Sequence, residues 1–121
     1  MMTSTYRHDK LAQRLCDKLI ETGVLVNGAP VKIKKAVVAD DPYPGTNYRY
    51  DIKMQTEKNE VIYGELDKTT NNQKKAKKIA ALNKKKLTSI VFDMRNEQYN
   101  CTENDLLYVL KHKTVQLSNI G

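Results

Sequence analysis

The chain has 121 residues, 40% of them apolar and 29% charged, with 21 basic against 14 acidic side chains and a net charge of +7. A chain of this length can bury one core without disulfides or a structural metal, so a single domain over residues 1–121 is expected. No apolar run nears the roughly 20 residues that cross a bilayer, the first residues lack the apolar stretch of a secretory signal, and the two cysteines lie far apart, which argues against a membrane span, a leader and a disulfide scaffold and predicts a soluble intracellular protein, cytoplasmic or nuclear, with no membrane partner.

Residues 6–22 space Leu11, Ala12, Leu15, Cys16, Leu19 and Ile20 three and four apart, with Asp9, Gln13, Asp17 and Lys18 between them, which predicts an amphipathic helix stopped by Gly23. Asn27-Gly28 marks a turn, and residues 31–39, rich in valine and isoleucine, read as a first strand. Two prolines and a glycine predict a loop over residues 40–45. Residues 48–54 alternate as a second strand, with Tyr48, Tyr50, Ile52 and Met54 on one face and Arg49, Asp51 and Lys53 on the other. A polar turn at residues 57–60 leads into a third strand, residues 61–67, where Ile62 and Leu66 alternate with Tyr63, Glu65 and Asp67. Residues 72–85 predict a helix capped by Asn71 or Asn72, and residues 88–94 a short buried strand. Thr102-Glu103-Asn104-Asp105 caps a last helix through Leu106, Leu107, Val109 and Leu110, and residues 114–117 offer a final edge strand. The expected fold is α/β, with an αβββαβ(α) core in which helices flank a mixed sheet.

The positive charge is local. Residues 68–86 hold eight lysines and no acid, and taking those eight from the 21 basic residues leaves 13 against 14 acids. Lysines without acids four residues away repel one another, which points to a helix that faces phosphate, with Lys74, Lys75, Lys77, Lys78, Lys84 and Lys85 as its contacts. The run begins one residue after Glu65 and Asp67 on the third strand. If residues 57–59 form the turn and Thr56 faces Glu60, Asp51 faces Glu65 and Arg49 faces Asp67. Three carboxylates then share a face, an arrangement that a hard cation tolerates by taking their oxygens and that can activate water and neutralise a phosphodiester. The same residues also suit an ionic ladder on a solvated face, Arg49 with Asp67 and Lys53 with a neighbouring acid, and periodicity does not choose between the two.

Helix, three strands with one acid on the second and a pair on the third, helix and fourth strand resembles the core of the PD-(D/E)XK, or restriction-endonuclease-like, nuclease superfamily over residues 6–94. The matching pieces are Asp51 in Tyr48-Arg49-Tyr50-Asp51, the run Glu65-Leu66-Asp67-Lys68, the basic helix, and Thr88-Ser89-Ile90-Val91-Phe92. Glu65 and the residues through Thr70 are also similar to the acidic strand end of nuclease-like replication-relaxation proteins of mobile elements, and Arg7-His8-Asp9 is placed like a histidine often found in the first helix. The resemblance implies a Mg²⁺- or Mn²⁺-dependent endonuclease of viral or mobile-element type, acting on DNA in preference to RNA. Asp51 and Glu65 would bind the metal, Leu66 would offer its carbonyl, Asp67 would add an acid, and Lys68 would orient or activate the attacking water. A homodimer is expected on the same grounds, since cutting two strands suits two copies. The superfamily pattern puts the lysine two residues after the acid, where this chain has Asp67. Lys68 can fill the role from the strand end, Lys74, Lys75 or Lys78 can fill it from the next helix, or the site is inactive. A second parsing takes Asp51-Ile52-Lys53 with Asp40 or Asp41 as the first acid.

Tyr63-Gly64-Glu65 followed by residues 72–81 also resembles the third strand and second helix of a double-stranded RNA-binding domain, an αβββα unit whose lysines, here Lys74 and Lys77, clamp phosphates without catalysis. The segment after Gly64 is longer than that family uses, and residues beyond 87 have no place in it. A third reading sets the basic surface against an acidic protein partner. His8 reads as an ordinary, partly buried helix histidine, His112 as a cation beside a helix end, Tyr48, Tyr50 and Tyr63 as packing residues, and Cys16 and Cys101 as buried thiols.

Overall fold

Leu11, Ala12, Leu15, Cys16 and Leu19 are at most 2% exposed along helix α1 (Ser4–Thr22), as their spacing predicts, whereas Ile20 lies at the stripe's margin and is 48% exposed. The computed structural model describes residues 4–67 and 72–118, apart from the side chains of residues 4, 5 and 72–74. Gly23 ends α1 in the left-handed conformation (φ 71), donating its N–H to the Leu19 carbonyl at 2.8 Å. A Cβ on Gly23 would lie 2.6 Å from the Val31 carbonyl oxygen, so only glycine suits both the angle and the space. Strands β1 (Val24–Val26) and β2 (Ala29–Val31) follow as a hairpin whose turn, Asn27 (φ 52) and Gly28 (φ 80), is left-handed at both positions. The sequence marks that turn, yet three-residue strands are too short to read from periodicity.

The main sheet contains β3 (Ile33–Pro42), β4 (Arg49–Thr56), β5 (Val61–Asp67), β6 (Ser89–Asp93) and β7 (Thr114–Ser118), in that spatial order. Only β5 and β6 pair in parallel; the other neighbours are antiparallel. Helix α2 (Asn72–Lys84) lies between β5 and β6 in the chain, and α3 (Glu103–His112) between β6 and β7. Among the described residues the protein is therefore mixed α/β, with three helices, a five-stranded mixed sheet and a small hairpin. Strand β3 corrects an expectation: it runs through Asp40, Asp41 and Pro42, residues read above as loop. Because β3 is an edge strand, the missing N–H of Pro42 removes no ladder bond.

Two cores cover the two sides of this sheet. Ile52, Met54, Ile62, Leu66, Ile90 and Phe92 pack with Leu15 and Leu19 of α1 and Leu106 and Leu110 of α3. Tyr43, Tyr50, Tyr63 and Val91 pack with Leu82 of α2 and Leu117 of β7. The three tyrosine rings lie 4.6 to 5.3 Å apart in edge-on and tilted contacts, the geometry their quadrupoles favour. Helix α2 closes in a Schellman motif: Lys86 (φ 57) donates to the Asn83 carbonyl and Leu87 to the Leu82 carbonyl, each at 3.0 Å. Its expected cap Asn71 lies outside the described residues. Helix α3 starts with the predicted capping box, Asp105 N–H on the Thr102 hydroxyl at 3.1 Å and Thr102 N–H on the Asp105 carboxylate at 3.0 Å. Both cysteines are free; Cys16 is fully buried and burial pushes its thiol up to about 12, while Cys101 is partly buried. No helix among the described residues is long and apolar enough to cross a membrane.

Candidate active site

The hairpin of β4 and β5 has the register its turn predicts: Gln55 pairs with Val61, Met54 with Ile62, Lys53 with Tyr63 and Ile52 with Gly64, and Thr56 donates its N–H to the Glu60 carbonyl at 2.9 Å. One step further along, Asp51 comes opposite Glu65. The ladder ends just before that step, although β4 stays paired with β3 as far as Arg49 and β5 with β6 as far as Asp67. The two strands therefore part, and the sheet forks at Asp51.

A bulge in β3 lies opposite the same residue. Between the pairs Val38 with Ile52 and Asp41 with Tyr50, two residues of β3 oppose Asp51 alone. Such a bulge bends the strand and increases its twist. Tyr50 joins the tyrosine cluster beneath α2, while Ile52 and Met54 stay in the core beneath α1. The single face expected for Tyr50, Ile52 and Met54 is thus divided.

Asp51 occupies the fork. Tyr63 N–H and the Asp67 carbonyl bond towards β6, so the Leu66 N–H is aimed at β4, and with the ladder gone it donates to Asp51 Oδ2 at 2.8 Å. Asp51 Oδ1 lies 3.6 Å from His8 Nε2 on α1. Burial raises the Asp51 carboxyl above its ordinary value; the Leu66 N–H and His8 pull it back, and the neighbouring charge of Glu65 pushes it up further. His8 is a partly buried histidine of α1, as its sequence predicts, and the fold also sets it beside the fork. The signal in the sequence was its place three and seven residues before Leu11 and Leu15, on the inward edge of α1.

Glu65 and Asp67 turn towards α2. Lys78 Nζ donates to Glu65 Oε1 at 2.6 Å and the Tyr43 hydroxyl to Oε2 at 2.6 Å, and Lys75 Nζ donates to Asp67 Oδ2 at 3.1 Å. The spacings match, because acids two apart on a strand share a face and lysines three apart share one side of a helix. Tyr43 is fully buried, lies 2.7 Å from the Ser89 hydroxyl, and has its phenol pushed well above its ordinary value, first by burial and then by the charge of Glu65. Neither Tyr43 nor Ser89 stands out in sequence: one sits between prolines, the other at the start of an apolar strand.

Several sequence expectations are corrected here. The three carboxylates do not share one face, since Glu65 and Asp67 meet α2 and Asp51 sits in the fork towards α1. Arg49 pairs with Asp40 on β3 at 2.9 Å and not with Asp67. Asp40 is 81% exposed at the sheet edge and Lys53 is exposed, while the charge of Asp40 is felt at Asp51 and helps to raise its carboxyl. Lys75 and Lys78 pair with the β5 acids Asp67 and Glu65. Lys77, Lys84 and Lys85 are exposed and make no ion pair among the described residues. Lys68 and the side chain of Lys74 lie outside the described residues. Among the described residues no three histidine, cysteine or acidic side chains are gathered to hold a metal.

Fold and site together define a mixed α/β protein with a forked sheet, a half-buried acid in the fork and a lysine-bearing helix over the neighbouring acids. Comparison of the chain with protein-family models, curated proteins and solved structures found no match.

Proposed function

We propose that this chain is a restriction-endonuclease-like, metal-dependent endonuclease that hydrolyses phosphodiester bonds in DNA. The observation that carries the reading is the fork: β4 and β5 separate where Asp51 and Glu65 come opposite, and Lys78 reaches Glu65 from α2. The donor set suits Mg²⁺ or Mn²⁺ in kind, with two carboxylates and the backbone carbonyl of Leu66 as hard oxygen ligands. That Glu65 draws the Lys78 ammonium to 2.6 Å indicates that positive charge is favourable at this point. A bound divalent ion would neutralise phosphate charge and lower the pKa of a water.

The chain's own residues supply the rest. The Leu66 N–H fixes the orientation of Asp51, leaving Oδ1 towards His8 and the solvent side of the fork. Tyr43, held by Ser89 and the tyrosine cluster, fixes one oxygen of Glu65. Lys78 is the residue best placed to orient an attacking water or a phosphate oxygen, in the role that the superfamily gives to a lysine on the acidic strand, and Lys75 beside Asp67 adds a second positive charge. Placing this lysine on α2 answers the absence of one two residues after Glu65.

The reading is tested by incubating supercoiled plasmid and single-stranded DNA with Mg²⁺ or Mn²⁺ and either the wild-type protein or an Asp51→Asn/Glu65→Gln variant. Nicking or cutting by the wild type that the variant has lost is expected. Equal products from both proteins would end the nuclease proposal, and so would tight, metal-independent binding of duplex RNA with no cleavage of any strand.

A further inference from the structure

A second concave place lies on the α2 side of the sheet. The loop of residues 43–48 folds back on itself, with Tyr43 N–H on the Tyr48 carbonyl at 2.8 Å and Thr46 N–H on the Tyr43 carbonyl at 3.0 Å. Between this loop and the last turn of α2 runs a groove of about 560 Å³, bordered by Gly45, Asn47, Tyr48, Ala81, Lys84 and Lys85 among others. No acid lines it. The Lys85 side chain is laid across Gly45, where a Cβ would stand 3.0 Å from its Cε and 3.2 Å from its Nζ, so its charge is carried into the groove. Tyr48 is half-buried and packs against the α2-side core.

Two ammonium groups that make no ion pair among the described residues, an amide and a half-covered ring make a surface for a phosphodiester strand: cations follow the backbone and a ring receives a base. Lys78, Ala81 and Lys85 follow one another at positions i, i+3 and i+7, one stripe of the helix. Seven residues at 1.5 Å each carry this stripe about 10 Å from Lys78 to Lys85.

We propose that the groove between residues 43–48 and the end of α2 is a nucleic-acid strand subsite, in which Lys84 and Lys85 hold backbone phosphates about 10 Å along α2 from Lys78 and Tyr48 receives a base. It rests on the nuclease reading for the path of the strand but not for binding, which needs no metal. Fluorescence anisotropy in a chelator, over a salt series, with a labelled DNA strand, its duplex and an RNA strand of equal length measures it directly and shows which polymer is preferred. The Lys84→Ala/Lys85→Ala variant is expected to bind about tenfold more weakly and to lower the salt slope by roughly 1.4 on a single strand or 1.8 on a duplex. Lys84→Arg/Lys85→Arg should retain both values, and Tyr48→Leu should weaken the single strand more than the duplex. A folded alanine variant with wild-type affinity and slope overturns the subsite. If the slope falls as expected while the wild type cuts nothing, the subsite is supported and the nuclease reading fails. Unchanged binding alongside cleavage that depends on Asp51 removes the subsite alone.

Discussion

Asp51 is held at a cost to stability that the fork explains. Its carboxyl is raised above the ordinary value mainly by burial, so between the unfolded and folded pKa values the native state binds more protons than the unfolded chain. Stability therefore falls as pH rises through that window; the penalty is absent below the ordinary value of 3.8 and complete above the raised one. Asp51→Asn removes the charge while its amide oxygen still accepts the Leu66 N–H. It should stabilise the protein by roughly 0.5–2 kcal/mol at neutral pH, the usual gain when a functional site is relaxed. Asp51→Ala also removes the acceptor, and the orphaned N–H should leave it about 1–3 kcal/mol less stable than the asparagine variant. Thermal melts of the three proteins from pH 3 to pH 8 decide this: an asparagine variant with no advantage that grows with pH would refute the account of Asp51. Asp93 behaves in the opposite way, because its hydrogen bonds with Arg95 hold it down to about 2.

At the scale of elements, the fork depends on how β5 sits between its neighbours. Gly64 is the last residue of the β4 to β5 ladder, and its bare Cα makes room for the ring of Phe92 and the thioether of Met54. A Cβ there would lie 2.9 Å from Phe92 Cε2 and 3.0 Å from Met54 Cε. Gly64→Ala should cost about 1–3 kcal/mol through overpacking. Phe92→Leu in the same chain should recover part of that loss, because it removes the ring that clashes. Urea unfolding of the single and double variants measures both effects, and additive losses would show that the ring is not what Gly64 accommodates. Gly64 is thus a packing residue of the site's supporting strand. Helix α2 has a comparable double part: Leu82 and Ile79 seat it on the tyrosine cluster, and that seating carries Lys75 and Lys78 to Asp67 and Glu65.

For the whole molecule, the buried thiol of Cys16 serves as a reporter. It lies in the core shared by α1, the sheet and α3, and burial pushes it up to about 12, so a thiol reagent should reach it only when that core opens. Cys101, partly buried beside α3, should react first. The opening free energy from Cys16 labelling should equal the global value from denaturant unfolding, and labelling of Cys16 as fast as of Cys101 would show that α1 detaches on its own. Much of this architecture was legible in the sequence because its signals are local. The apolar stripe of α1, the left-handed stop at Gly23, the capping box at Thr102 and the turn that sets Thr56 against Glu60 each depend on residues a few positions apart. Register carried the reading as far as Asp51 facing Glu65, and no further. The β3 bulge opposite Asp51, the parallel pairing of β6 with β5 and the approach of His8 and Tyr43 join residues far apart in the chain. Nor do lysine spacings say which of them a helix turns inward. Side-chain period and turn chemistry are properties of a few neighbouring residues and so are written in the sequence; which acid meets which cation depends on how twisted strands and packed helices meet, and only the tertiary structure decided that.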